Sequence, residues 1–170
     1  MAFVVKKINL DDLDNKTGSY TYEYKDADGE DAAINITFKS FNNPQFQKAY
    51  SMIVSRNISD ADAIKVKKLD DNFLDGLNED DKTTGDIMVR AVGKFLIADW
   101  DINDENGDKL PINADNFVLL LANIPMREQQ DFFQWCMDSA GDVAVNSNKV
   151  LAETKKKPST ATGGKKTSQA

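Results

Sequence analysis

The sequence predicts an α+β fold, with an N-terminal antiparallel β-hairpin or small sheet followed by a mainly α-helical bundle. In the first part of the chain, apolar and polar residues alternate on either side of Asp28-Gly29, which is the period of a β-strand. From Asn43 onward, apolar residues recur every three or four positions, which is the period of a helix. The expected divisions are one folded domain (1–152, with a β-rich part over 1–41 and a helical part over 43–152) and a disordered Lys-rich tail (153–170).

The net charge of −7 is unevenly distributed along the 170 residues. Residues 153–170 hold five Lys and one Glu, so this tail carries +4 and leaves −11 on the rest of the chain. The tail has no aromatic or large aliphatic side chain, so burial cannot offset the entropy of ordering it. An acidic body disfavours nucleic acid as a ligand and favours basic or apolar partners.

The residue types that are missing argue against an enzyme. The chain has no histidine, which excludes Ser-His and Cys-His couples and imidazole metal ligands. Its single cysteine, Cys136, excludes an internal disulfide and a thiolate zinc cluster. We therefore expect a non-enzymatic protein without metal or cofactor. The N-terminal sequence does not have the form of a signal peptide, and the longest apolar run, residues 117–122, is too short to span a membrane.

The first predicted elements are strands. Residues 3–10 have the composition of a short strand, and the hairpin around Asp28-Gly29 follows. A row of tyrosines on one face of that hairpin has two interpretations, the core side of a half-buried sheet or a platform for stacking ligands. The pattern favours the core side. The apolar positions that define the hairpin are Tyr20, Tyr22, Tyr24, Ile34, Ile36 and Phe38.

Three helices are predicted between the hairpin and Leu96. Asn43 is suited to cap the first, because Pro44 then takes the first helical position, where its missing N–H costs nothing. A charge-rich segment over 64–77 predicts the second helix. Thr83 is suited to cap the third, with Asp86 in its first turn. The apolar stripe of this third helix consists of Ile87, Ala91 and Phe95, with Val92 and Leu96 beside them.

Two more helices are predicted after the central turn, one over 114–123 and one that opens near Pro125. In the second, Phe132, Cys136 and Ala140 share a stripe, and we expect Gly141 to interrupt the helix. A looser segment would then run from Val143 to Leu151. Trp135 lies off the stripe, so it either closes the edge of the core or anchors a partner.

The polar turn between Trp100 and Pro111 has two interpretations. Asn106-Gly107 between the apolar residues Ile102 and Leu110 predicts a hairpin. The density of carboxylates suggests a calcium loop, but an EF-hand requires glycine at its sixth position and a bidentate carboxylate at its twelfth. Counting from Asp101 puts Asn106 at the sixth position and Ile112 at the twelfth, so we expect a solvated acidic turn.

The same stretch resembles the tail assembly chaperones of long-tailed bacteriophages. In that family a Trp precedes an acidic D-x-x-G turn, a Lys/Pro-Leu-Pro-like step, an Asn-containing helix start and a run of leucines. The matching segment covers about 30 of the 170 residues, and no family pattern is found in the N-terminal third. The matching residues are Trp100, Asp104, Asn106-Gly107, Lys109-Leu110-Pro111, Asn113, Asn116 and Leu119-Leu120-Leu121.

The resemblance implies a protein that binds the tape-measure protein, keeps it soluble and helps to recruit tail-tube subunits. In lambda-type operons such a chaperone is also made as a longer product by programmed frameshifting, and the extension reaches the tail-tube protein. Gly163, Gly164 and Lys165 permit a slippery codon sequence of that kind. The same resemblance implies residence in the host cytoplasm, absence from the mature virion and possible self-association.

Four apolar residues are candidate partner contacts: Trp100, Phe117, Leu120 and Trp135. All four are equally explicable as core residues. The alternative function from another class is a structural virion component, such as a small tail-tube or tail-completion protein, with the hairpin joining a ring. A tube protein would stay in the particle, whereas a chaperone would not.

Overall fold

A computed structural model describes residues 15–61 and 84–156 of the chain. Within these residues the sheet comes mainly from the N-terminal part, and four helices follow, so the predicted α+β class is confirmed. In chain order the elements are β1 (Thr17–Lys25), β2 (Asp31–Lys39), α1 (Pro44–Ala61), α2 (Thr84–Phe95), β3 (Ile97–Trp100), α3 (Ala114–Asn123) and α4 (Met126–Lys156).

The predicted hairpin is confirmed. Strands β1 and β2 pair antiparallel, with Tyr20 opposite Ile36 and Tyr22 opposite Ile34. Exposure alternates strictly along β1, so its three tyrosines share the face that packs against the core. The core interpretation of the tyrosine row is therefore confirmed, because these rings are already occupied by contacts within the protein.

The third strand was not predicted from the sequence. Strand β3 follows helix α2 directly and pairs antiparallel with β2, giving the sheet order β1-β2-β3. Its pairing places Trp100 opposite Ile36, and the register shifts between Thr37 and Phe38. Strand β3 is only four residues long and continues the apolar run of α2. The sequence therefore does not show where the helix ends and the strand begins.

The starts of the predicted helices agree with the structure where it describes them. The side chain of Asn43 accepts hydrogen bonds from the backbone N–H of Gln45 and Phe46 at 3.1 and 3.2 Å, which caps α1 as predicted. Asp86 lies in the first turn of α2. The predicted capping residue Thr83, the strand over 3–10 and the helix over 64–77 lie outside the described residues.

The prediction that Gly141 interrupts the last helix is wrong. Helix α4 is continuous from Met126 to Lys156 and includes the segment expected to be looser. One glycine costs a helix only about 1 kcal/mol relative to alanine, and the packed residues on both sides offset this cost. The helix also continues through 153–156, the first four residues of the predicted tail; the rest of that tail, with Gly163, Gly164 and Lys165, lies outside the described residues.

The sheet and the helices share one buried core. Phe38 from the sheet, Phe46 from α1, Phe117 from α3 and Phe132 from α4 are each completely buried. Gly93 allows α2 and α3 to approach closely, since its Cα lies against the Phe117 side chain. Among the helices in the described part of the chain, none is long and apolar enough to cross a membrane.

Candidate functional site: a groove beside the acidic turn

The segment after Trp100 folds back on itself as the predicted hairpin. The Trp100 indole is 2% exposed, and its Nε1–H donates to the carbonyl of Leu110 at 2.6 Å. The backbone N–H of Leu110 donates in turn to the carbonyl of Ile102 at 2.8 Å. Asn103 and Lys109, which lie one residue nearer the tip of the turn, form an antiparallel bridge. The buried tryptophan therefore fixes where the returning strand of the turn lies.

Asp104 organises the tip of this turn. Its carboxylate Oδ1 accepts hydrogen bonds from the backbone N–H of Asn106 and Asp108 at 2.8 and 3.0 Å. Gly107 has a φ of 86°, a left-handed conformation that glycine adopts at little cost. The acidic residue at the head of the turn thus has a conformational role that requires no bound cation.

The hairpin between β1 and β2 closes with the same arrangement. Asp26 accepts hydrogen bonds from the N–H of Asp28 and Glu30, both at 2.9 Å, and Gly29 has a φ of 83°. The sequences Asp-Ala-Asp-Gly-Glu and Asp-Glu-Asn-Gly-Asp therefore form two turns of one kind. This second copy provides an internal comparison for the turn that follows Trp100.

Side-chain caps fix helix α3 relative to the turn. Asn113 caps the helix by accepting a hydrogen bond from the N–H of Asn116 at 2.8 Å. The side chain of Asn116 donates to the carbonyl of Pro111 at 2.7 Å. Arg90 of α2 forms an ion pair with Asp115 of α3. The residues that resemble the tail chaperone pattern therefore build one connected unit, a turn joined by hydrogen bonds to a capped helix.

An apolar groove of about 600 Å³ lies between this turn and α3. Leu120 forms part of its floor, and Leu119 beside it is 51% exposed. A single exposed leucine is ordinary on a protein surface, but this one adjoins a concave surface that three further apolar side chains line, which is the form of a binding site. The full lining consists of Ile102, Asn103, Asp104, Glu105, Asn106, Leu110, Leu119, Leu120 and Asn123.

The rim of the groove is negatively charged. Five carboxylates and one lysine between positions 99 and 109 give this segment a formal charge of −4. Lys109 is the only basic residue in the sequence from Asp99 to Pro125, and its Nζ lies 2.6 Å from a carboxylate oxygen of Asp99. The hydrogen bond from Lys109 lowers the pKa of Asp99. The other four carboxylates of this segment belong to exposed residues.

A second hollow of about 610 Å³ lies at the turn end of the β1–β2 hairpin, beside the start of α4. Its walls are the backbone and mostly short or charged side chains, among them the ion pair of Lys25 with Asp31 at 2.5 Å. It contains no leucine or isoleucine in its lining and offers little apolar surface. We therefore take the groove beside α3 as the candidate functional site.

Three of the four candidate contact residues are buried. Trp100 is 2% exposed, Phe117 is completely buried and Leu120 is 8% exposed. In this conformation Trp100 and Phe117 have structural roles, and Leu120 is the one of the three that also lines the groove. Their partner-binding role stays a prediction, and the structure supplies no free surface on Trp100 or Phe117 to support it.

Trp135, the fourth candidate, is half-buried in an aromatic cluster between α4 and the sheet. Its ring centroid lies 5.2 Å from that of Tyr22, 5.3 Å from Phe38 and 5.5 Å from Phe132. Of the two interpretations of this residue, the geometry therefore favours the edge of the core. Trp135 lies off the apolar stripe but packs against the same sheet as Phe132 of the stripe, whose ring centroid lies 5.2 Å from that of Tyr22.

The cluster also holds a tyrosine, Tyr22, whose surroundings raise its pKa. Burial, the hydrogen bond from its hydroxyl to Glu128 at 3.1 Å and the charge of that carboxylate raise the pKa of Tyr22 to about 12. Because the folded-state pKa lies above the usual value of about 10, the protonated hydroxyl stabilises the fold fully below pH ~10. This contribution is lost as the pH rises towards about 12.

We predict that Glu128→Gln lowers the pKa of Tyr22, because it removes the negative charge that favours the protonated hydroxyl and leaves a neutral amide oxygen as the acceptor. Burial, the largest cause, remains, so the pKa should stay above the usual value. Ultraviolet difference titration of tyrosinate measures it, with Tyr22→Phe identifying the contribution of this residue. Identical titration curves for the wild type and Glu128→Gln would contradict the assigned contact.

The groove itself was not predicted, although its most exposed apolar residue, Leu119, lies in a motif that the sequence singled out. Leu119, Leu120 and Leu121 are consecutive, and a helix turns by about 100° per residue. Three consecutive leucines cannot all face one core, so at least one should be exposed. The sequence gives that signal but does not say which leucine is left out.

Comparison with known proteins agrees with an origin in a phage genome. A family model described as YdaY prophage protein matches residues 41–157, more than half of the chain. The matched segment begins after the β1–β2 hairpin and contains both the acidic turn and helix α3. No curated protein and no solved structure matches the chain. The chain therefore belongs to the YdaY prophage protein family.

Proposed function

We propose that this protein is a phage tail assembly chaperone that binds the tape-measure protein and keeps it soluble during tail growth. The observation that carries the proposal is the apolar groove beside α3, with Leu119 51% exposed at its edge. The groove is built by the segment that resembles tail chaperones, and it lies within the part of the chain that the prophage family model matches.

The groove supports this function physically. A long helical client exposes apolar stripes before it assembles, and a concave apolar surface can cover such a stripe. The carboxylates around the groove, including Glu105, keep the complex negatively charged and hence soluble. Binding of this kind requires no chemical step, so we propose a non-enzymatic protein.

The only thiol of the chain is consistent with a non-enzymatic role. Cys136 is completely buried, and burial raises the pKa of its thiol well above the usual range. A protonated, inaccessible thiol is not a nucleophile. With no histidine in the sequence to act as a base, Cys136 serves the core as a small apolar side chain.

The remaining parts of the proposal follow from the resemblance. The protein would act in the host cytoplasm, leave before the virion matures and reach the tail-tube protein through a frameshifted extension. The codons for Gly163, Gly164 and Lys165 are the proposed slippery site. Sequencing the gene and detecting a longer product by immunoblot test this part independently of client binding.

The experiment that tests the function is co-expression of this chain with the tape-measure protein of the same prophage. We expect the tape-measure protein to be soluble only in the presence of the chain and to co-purify with it. A tape-measure protein that is insoluble in both cases, with this chain found in purified particles, would overturn the proposal. That result would favour the alternative of a structural virion component.

We predict that Leu119→Ser weakens client binding by about tenfold, because it removes apolar area that the complex buries. The stability of the protein should change little, since Leu119 is half exposed. Val145→Ser is a matched control: Val145 is also 51% exposed but belongs to α4 and does not line the groove. Equal losses in the two variants would contradict a role for the groove.

A further inference from the structure

We propose that the groove selects one chemical class of segment, an amphipathic helix with Lys or Arg flanking its apolar stripe. This inference rests on the proposed function, since it names the part of the client that the groove would hold. Two features of the groove carry it. One is the charge around its apolar floor, and the other is the way the backbone of the turn is already hydrogen-bonded.

The charge of the groove favours a basic segment. Asp104 and Glu105 line it directly, and the segment from Asp99 to Lys109 carries −4. The single lysine of this segment is held by Asp99 at 2.6 Å, so it does not neutralise the carboxylates on the groove side. An acidic helix would meet like charges along this rim, whereas a basic helix would meet opposite ones.

The backbone of the turn favours a helix over an extended strand. An extended peptide binds by forming backbone hydrogen bonds with unpaired backbone groups of the protein, as at the free edge of a sheet. Here the N–H of Asp104 donates to the carbonyl of Asp108 at 2.7 Å, and the N–H of Leu110 donates to Ile102. The carbonyl of Leu110 accepts from Trp100. With these groups already paired, the groove offers side-chain contacts, which an amphipathic helix satisfies through residues spaced by three and four.

The floor of the groove fits the apolar stripe of such a helix. Ile102 and Leu110 contribute from the turn, and Leu119 and Leu120 contribute from α3, so leucine-sized side chains line both walls. Asn123, the last residue of α3, also lines the groove. The chain's own Lys-rich tail is also basic, but it has no large apolar side chain to place on this floor, so we do not assign the groove to it.

The test uses synthetic helical peptides labelled with fluorescein and the full-length chain, with binding followed by fluorescence anisotropy. One peptide places leucines on one face and lysines on the other; a second replaces every lysine by glutamate. A third has the composition of the first in an order that destroys the apolar face. We expect the first peptide alone to bind, and its affinity to fall as salt is added. Equal affinities for the lysine and glutamate peptides would overturn the inference.

We predict that Glu105→Lys weakens binding of the basic peptide roughly threefold to tenfold at low salt, because it turns an attraction at the rim into a repulsion. Glu30→Lys is the matched control, since Glu30 is an exposed glutamate in the turn of the same geometry and lines neither the groove nor the second hollow. Both variants change the net charge equally. Equal losses in both would show a general charge effect and overturn the site assignment.

Two further outcomes separate this inference from the proposed function. A tape-measure protein that binds the chain while the basic peptide does not would overturn the helix class and leave the chaperone function standing. A basic peptide that binds in the groove, together with a tape-measure protein that does not, would overturn the function alone. Competition by a peptide of residues 157–170 would assign the groove to the chain's own tail and overturn the inference.

Discussion

Gly93→Ala is expected to destabilise the protein by about 3 kcal/mol or more, the upper end of the range for overpacked sites. A Cβ on Gly93 would overlap with the Cβ of Phe117 and would lie 2.9 Å from Cγ and 3.2 Å from Cδ1. A Cβ is fixed to its backbone, so no change of rotamer relieves the overlap. Helices α2 and α3 would have to separate, which would expose part of the core around the completely buried Phe117.

Gly141→Ala is the matched control for this prediction. Gly141 also lies within a helix, but a Cβ there would meet nothing within 4 Å. Alanine is the better helix former, so this variant should be more stable than the wild type by about 0.5–1 kcal/mol. Urea unfolding followed by circular dichroism measures both changes. Two substitutions of the same chemistry should thus move the midpoint in opposite directions.

A stabilising effect at both positions would show that α2 and α3 are not packed as closely as the structure has them. That outcome would also weaken the description of the groove, because α3 forms one of its walls. The ion pair between Arg90 and Asp115 joins the same two helices and would then need to be tested separately. The comparison of the two glycines therefore tests the framework that supports the candidate site.

Local patterns in the sequence were sufficient for the elements that depend on neighbours along the chain. The alternation around Asp28-Gly29 predicts the hairpin because the partners of that pairing lie within one short turn. Asn113 and the leucines after it predict α3 for the same reason, since the cap bonds a residue only three positions away. In these cases the hydrogen bonds that define the element join residues close in the sequence, so the local pattern is sufficient to predict them.

Elements that depend on distant partners were missed. Strand β3 forms by pairing with the edge of β2. The backbone N–H of Lys39 donates to the carbonyl of Leu96 at 2.7 Å, and the backbone N–H of Asp101 donates to the carbonyl of Asn35. The four residues of β3 alone contain no pattern that predicts this pairing. The continuity of α4 through Gly141 is a related case, in which packing against the sheet outweighs one weak helix former. Tertiary contacts overrode local preference in both.

Only part of the candidate site could be predicted from the sequence, and the reason is geometric. The sequence predicted the turn and α3, but three of the four candidate contact residues were aromatic, and only Leu120 lines the groove. Two of these aromatic residues support the fold instead. Trp100 donates a hydrogen bond to the carbonyl of Leu110 in the turn, and Phe117 packs against Gly93 between α2 and α3. The exposed apolar surface is supplied by Leu119. Which side of a helix faces solvent depends on its neighbours, and the sequence of the helix does not contain them.

Trp135→Ala is expected to cost about 3 kcal/mol of stability, the lower end of the range for removing a large aromatic side chain from a core, because Trp135 is only half-buried. The indole contacts Tyr22 and Phe38 of the sheet and Phe132 of its own helix, with ring centroids 5.2 to 5.5 Å apart. Its removal would leave a cavity between α4 and the sheet. Trp135→Phe should cost less, because a smaller ring keeps part of the edge-on contact with Phe38.

This result decides how a loss of client binding by Trp135→Ala should be interpreted. If unfolding by urea shows the expected loss of stability, weaker binding follows from damage to the fold, and the groove variants remain the test of function. A variant that keeps the wild-type free energy of unfolding but no longer binds the tape-measure protein would contradict the core assignment. Trp135 would then have the partner-binding role that the sequence predicts, and the client surface would extend from the groove to the aromatic cluster.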